Sequence, residues 1–400
     1  MTTMRKTIGA LLAVGALVAA AIAPASAAEP VKSDNLKHVA QFKYTGGTEL
    51  ASSGRYLYSG ELNGTDDRGQ DPEKGGLHIF DTKKMKEVGF LHCPGTDNDV
   101  EVIKPGLVAM GFSQNMCAPS AGGGIMLVDV KNPKKPKIIS SLGTNGASHT
   151  FKPFPGKPLI YMAGGGLSGG TGAGPVIVDV SNPKKPEVVA EPQTITMDCH
   201  DISFSLTDED RQLGFCAGAV GTGEVQIWDV SDPLAPTAIG RIVNPLIQYS
   251  HYAIANKDGT LLAIDDEAFG AHDCNTGASP TGRVWIYDIS DPQVPLVQSS
   301  FAPPRGGDPG YANIGTLPGW TTSWCLSHGL DWHPSTNNVA VTWFTGGVSV
   351  ISLADPLMPA EVAYFQAEDS TTYSTLWHNG YLFTNDMLRG VDGFKISGLK

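Results

Sequence analysis

PVIVDVSNPKKPEVVA, residues 175–190, reads as a strand, a turn and a second strand. Val176–Asp179 is a β-branched run of the kind that forms a buried strand. The S-N-P-x-x-P stretch that follows stops it. Asn182 can bond its own backbone, while Pro183 and Pro186 fix φ and remove ladder donors. Glu187–Ala190 then resumes as a short strand.

The same unit recurs. Clear copies are IMLVDVKNPKKPKIIS from Ile125, VQIWDVSDPLAPTAIG from Val225 and VWIYDISDPQVPLVQS from Val284. Weaker copies are LHIFDTKKMKEVGF from Leu77, VSVISLADPLMPAEVA from Val348 and VDGFKISGLK from Val391. The position after the apolar run is Asp81, Asp129, Asp179, Asp229, Asp288, Ser352 and Lys395, at spacings of 48, 50, 50, 59, 64 and 43. A hairpin precedes each run; in HYAIANKDGTLLAIDD (251–266) its turn is Asp258-Gly259. Each unit therefore holds four short antiparallel strands, and seven such sheets can bury one another only when packed radially. The expectation is an all-β, seven-bladed β-propeller. The last unit stops at its third strand, DGFKI (392–396), and NLKHVAQF (35–42) matches a fourth strand. The N-terminal strand should thus complete the last blade and close the ring.

These strands and turns resemble those of the LVIVD-repeat proteins, a family of secreted or envelope β-propellers. The resemblance spans nearly the whole chain and implies the fold and an exported location. It assigns no activity, because propellers host many.

The 400-residue chain opens with a basic MRK, an apolar TIGALLAVGALVAAAIAP and a small-residue ASA at 25–27. This reads as a secretory signal peptide, residues 1–27, preceding a single domain at 28–400. Net charge is −12 with 28 basic and 40 acidic residues, and becomes −14 without Arg5 and Lys6. Such a chain, lacking basic runs, argues against nucleic acid and anionic membranes as partners. No later segment has the ~20 apolar residues of a membrane span. The expected state is a secreted monomer.

An even set of cysteines in an exported chain suggests disulfides. The most local pairing is Cys93–Cys117, Cys199–Cys216 and Cys274–Cys325, and no CxxC zinc motif occurs. There is no G-x-S-x-G or H-E-x-x-H. GGGLSGGTGAG (164–174) lacks a P-loop's Lys-Ser/Thr and reads as a loop, so no nucleotide cofactor is expected. DDRGQDPEKGG (66–76) misses Ca²⁺-loop spacing.

Aligning the start of the innermost strand of each unit brings four histidines to one position: His149, His200, His251 and His328. The other units place Thr48 or Glu49, Asn98 and Tyr373 there. Four neutral imidazoles about one axis suit a transition metal such as Cu, Fe or Zn. Glu61, Asp99, Asp266, Glu267 and Asp386 are candidate acceptors behind such ligands. Asp201, next along its strand, should point away from His200. A four-histidine site shared among blades would resemble, in architecture alone, the iron centre of carotenoid oxygenases. Two readings stay open at this point. One is a metal-dependent oxidoreductase with the Trp320/Trp324 loop as a lid. The other is an extracellular binding or scaffold propeller whose histidines pack the channel, with a small molecule, protein or glycan bound at the loop-rich face.

Overall fold

In the computed structural model the described residues are 29–44, 46–61, 75–93, 99–112, 117, 123–144, 149–163, 175–192, 199–208, 211–218, 223–267, 282–304, 325–368 and 370–399. The expected leader, the Gly-rich and acidic loops, Asn98, Cys274, Trp320 and Trp324 lie outside them.

The described residues form seven antiparallel sheets and no helix. Blades 1 to 5 run in simple chain order. Their innermost strands are Gly47–Ser53, Val100–Lys104, Phe151–Pro153, Cys199–Asp208 and Ser250–Ala255. Blades 6 and 7 begin at Leu330–Trp332 and Thr372–His378. The closing strand is where the sequence placed it: Leu36–Phe42 pairs antiparallel with Gly390–Ile396 as the fourth strand of blade 7. One strand was not anticipated. Val31–Lys32 adds a fifth, exposed strand to blade 6 beside Phe365 and Gln366.

The recurring Asp is a structural device. Its carboxylate ends the third strand by accepting a backbone N–H two residues on, as from Ser181 to Asp179 (2.6 Å) and from Ser231 to Asp229 (2.9 Å). The Asn or Asp before proline repeats this turn, with Lys184 N–H donating to Asn182. Ser352 does the same in blade 6, accepting from Ala354. The repeat signature therefore encodes two consecutive side-chain-capped turns.

Those turns also join the blades. Every fourth strand carries a bulge followed by a small residue: Ala40, Gly89, Ser140, Ala190, Gly240, Ser299 or Ala363. Ser140 donates to the Pro183 carbonyl of the next blade, and Ser299 to that of Pro356. A Cβ on Gly89 or Gly240 would collide with the carbonyl oxygen of Pro133 or Pro292. Replacing Gly240 by Val should cost ~1–3 kcal/mol. Urea denaturation measures this, and an unchanged midpoint would show that the blades do not touch there. Between blades the core is apolar: Phe215 and Ile227 of blade 4 pack with Leu262, Ile264 and Trp285 of blade 5. Each fully buried side chain of this size contributes ~1.5–3 kcal/mol.

Cys93–Cys117 and Cys199–Cys216 are disulfides, with Cα atoms 5.8 and 5.2 Å apart. Cys325 is also disulfide-bonded, and its expected partner Cys274 lies outside the described residues. No described helix is long and apolar enough to cross a membrane.

Candidate functional site

The seven innermost strands enclose a central cavity of about 720 Å³. In four blades the strand bulges where it meets the histidine position. Paired neighbours skip Thr48 and Glu49, His200, His251 and Tyr252, or Tyr373. A bulge sets two residues against one and re-aims their side chains. Asp201, expected on the face opposite to His200, lines the channel cavity.

The histidines form a row on consecutive blades. Ring centroids are 4.8 Å apart for His149 and His200, 4.1 Å for His200 and His251, and 4.1 Å for His251 and His328. Tyr373 continues the row 3.9 Å beyond His328. Each Nδ1 points at the carbonyl at the equivalent position of the next blade: His200 to His251 O (3.1 Å), His251 to His328 O (3.0 Å), His328 to Tyr373 O (2.9 Å). A carbonyl only accepts, so each Nδ1 carries the proton and each neutral ring keeps its lone pair on Nε2. Burial, reinforced by the neighbouring imidazoles, lowers all three histidines, His251 to about 3. They are neutral at physiological pH.

Glu267 faces two of those lone pairs. Its carboxylate oxygens lie 3.6 Å from His251 Nε2 and 3.9 Å from His328 Nε2. These three residues offer ligand atoms that all lie within 4.8 Å of one another. Burial, with Asp265 and Asp266 nearby, raises Glu267 well above the usual carboxylate range. A His/Glu cluster that could hold a metal ion is thus present at one end of the channel. Glu267, expected behind the imidazoles, stands beside two of their Nε2 atoms. Asp265 takes a supporting position instead, 3.5 Å from His251 Nδ1. His149 and His200 adjoin the cluster at the end of the row.

The other expected acceptors lie elsewhere. Glu61 bonds His78 Nε2 at 3.0 Å, and His78 reaches Glu87 through Nδ1. Asp266 accepts backbone N–H groups of Gln248, Tyr249 and Gly282, and Asp386 those of Thr371, Leu388 and Arg389. Asp266 and Asp386 thus hold loops. Asp99 accepts from Phe151 N–H and belongs to the cavity wall.

Below the histidines the wall is acidic. Glu49, Asp99 and Asp201 stand one residue past the histidine position, and Glu101, Lys152 and Asp331 three past it. Counting from each histidine along an alternating strand could have found this second set. Burial raises Glu49 to about 8, and Glu101 and Asp331 to about 7. These carboxyls hold protons in the fold at pH values where an unfolded chain has released them. Their contribution is fully present below the ordinary carboxylate range and is lost as pH rises through about 7 to 8. Below about pH 6.5 the buried neutral histidines act in the opposite sense. Above it the carboxyls alone decide the sign, so the melting temperature should be higher at pH 6.5 than at pH 8, a comparison calorimetry makes directly. The opposite order would mean the wall carboxylates are ionised and paired.

A model of the LVIVD repeat matches residues 171–194, which include the third strand of blade 3. No curated protein matches the chain. Among solved structures, the fold is similar to the Cps50 (Swd1) β-propeller domain of Myceliophteria thermophila. The TM-score is 0.58 at 10% identity, over 90% of this chain and all of that one. At that identity the likeness concerns the fold alone. The described residues thus form a seven-bladed β-propeller, and one of its repeat units, at residues 171–194, matches the LVIVD repeat.

Proposed function

We propose that this protein is an exported propeller that binds one transition-metal ion at the channel end through His251 Nε2, His328 Nε2 and the Glu267 carboxylate. His200 and His149 stand beside the ion, and the cavity admits a small molecule to it. The observation that carries the reading is the convergence of two deprotonated Nε2 atoms on one buried carboxylate. Ligands sharing an ion at ~2.0–2.2 Å lie roughly 3–4 Å apart, which both His–Glu separations satisfy. Two imidazoles and a carboxylate with open positions suit iron(II) redox chemistry, and the same donors accept Zn or Cu. The expected chemistry is that of an oxidoreductase. The leader, with disulfides that persist outside the cytosol, supports export.

The Nδ1 bonds favour a second reading, in which the row is a staple between blades and nothing more. Metal analysis after equilibration with Fe(II), Cu(II) or Zn(II) separates the two. The proposal expects about one tightly held ion per chain, absent from Glu267→Ala. Chains that stay metal-free with all three ions would leave the staple.

A further inference from the structure

The two residues between the prolines of the recurring turn divide the molecule in half. They are Lys134-Lys135 in blade 2 and Lys184-Lys185 in blade 3, and the shorter turn of blade 1 carries Lys83-Lys84, all exposed. At the same positions blade 4 has Leu234-Ala235, blade 5 Gln293-Val294 and blade 6 Leu357-Met358. Leu234 is 45% exposed, Val294 59%, Leu357 63% and Met358 72%. Large apolar residues are normally buried, yet three consecutive blades present them to solvent at one structural position.

The turns form one continuous rim. The blade 2 turn lies against blade 1, where a Cβ on Gly89 would strike the Pro133 carbonyl. Ser140 of blade 2 donates to Pro183 O of blade 3 at 2.7 Å, and Tyr161 of blade 3 donates to Pro233 O of blade 4. Gly240 meets Pro292, and Ser299 donates to Pro356 O at 2.6 Å, so blades 4, 5 and 6 follow in the same way. Equivalent turns around one axis fall at one height, so the lysine sector and the apolar sector share one broad face. It is the face where inner strands end, opposite the histidine row at which they start.

Charge is segregated along the same rim. The residue before the first proline is neutral Asn132 or Asn182 in the basic blades, and Asp232, Asp291 or Asp355 in the apolar ones. Those three carboxylates turn back on their own loops, each accepting a backbone N–H at 3.0 Å. In the basic sector Asp129 and Asp179 do likewise, Asp81 pairs with Arg55, and Glu187 pairs with Lys185. Among the described residues no carboxylate pairs with Lys83, Lys84, Lys134, Lys135 or Lys184.

We propose that this face docks the protein onto an anionic lipid bilayer. The lysine turns of blades 1 to 3 meet the headgroups, and the Leu, Val and Met turns of blades 4 to 6 enter the interface. The net charge of −12 and the lack of a basic run pointed away from such a surface, because the lysine pairs are separated in sequence and gather only in the ring. Charge alone would suit any polyanion. The apolar turns at the same height add a second demand, which a broad amphiphilic surface meets and a soluble polyanion does not.

The test is co-sedimentation of the chain from residue 28, without the apolar leader, with vesicles of phosphatidylcholine alone or mixed equally with phosphatidylglycerol. A chelator is present throughout, so failure of the metal reading leaves the outcomes unchanged. The mixed vesicles should bind about a hundredfold more tightly, and raising NaCl from about 0.1 M to about 0.5 M should remove most of that difference. The triple variant Lys134→Gln, Lys135→Gln, Lys184→Gln should weaken binding by about a hundredfold, close to fivefold per lysine. The double variant Leu357→Ser, Met358→Ser should weaken it by about tenfold or more. All five positions are exposed, so both variants should melt as the parent does. The proposal is overturned if mixed and neutral vesicles bind alike, if neither binds, or if either variant binds as the parent does. Dextran sulfate that binds as tightly as the mixed vesicles, whether or not Leu357 and Met358 are present, would overturn it in favour of a polyanion site. A lipid-free dimer lost in either variant, read by sedimentation velocity, would overturn it in favour of a contact between copies.

Discussion

Deleting the chain through Phe42 is expected to abolish cooperative folding. Leu36–Phe42 is the outer strand of blade 7, in register from Leu36 opposite Ile396 to Phe42 opposite Val391. Leu36 and Phe42 are buried, and Phe42 stacks on Phe80 of blade 1 at 4.5 Å. His38 bonds Asp392 at 2.7 Å, and Asn35 reaches the carbonyls of Val362 and Ser397. Losing the two apolar anchors alone costs ~3–6 kcal/mol. The ladder is lost too, and the third strand becomes a bare edge open to aggregation. Against a typical stability of ~5–15 kcal/mol the ring should not survive. Removing only residues up to Lys32 deletes the exposed two-residue strand on blade 6 and should shift stability by about 0.5 kcal/mol or less. Urea transitions of both truncations test this. A chain lacking the closing strand that still unfolds with the parent midpoint would mean blade 7 is complete without it.

Replacing His328 by Asn is expected to remove metal binding while sparing the fold. The Asn amide can still donate towards the Tyr373 carbonyl, as Nδ1 does at 2.9 Å, but has no atom in place of Nε2. One of three ligands is lost beside a buried Glu267, and affinity should fall by two orders of magnitude or more, beyond the ~10–100-fold of a supporting residue. His328→Ala loses both the ligand and the inter-blade bond, so it should lower metal affinity and melting temperature together. Metal titration and thermal melts of both variants decide between the readings. If Asn at 328 keeps the metal, or if no variant changes metal content, His328 is a staple and the ligand set is wrong.

The repeat made the architecture readable because its chemistry is local. An apolar run followed by Asp-x-Ser-Asn-Pro fixes a strand and two capped turns within about ten residues, whatever surrounds them. Counting such units gave the blades, and the missing fourth strand of the last unit pointed to the N-terminus. The common histidine position was legible for the same reason, since each histidine opens an equivalent strand.

What the sequence alone left undecided were the directions of side chains and the company they keep. Strict alternation sends Asp201 away from the channel, yet in the fold it lines the channel cavity. Glu267 and Asp266 are neighbours on one strand end, yet one faces two imidazoles and the other holds a loop. Glu49, Glu101, Lys152 and Asp331 are hundreds of residues apart at the extremes and become one chamber only when seven strands converge. Local sequence thus determined the blade, its turns and the residue that starts each inner strand. Ring closure decided which of those residues meet, because contacts across a channel depend on the register and bulge of every blade at once.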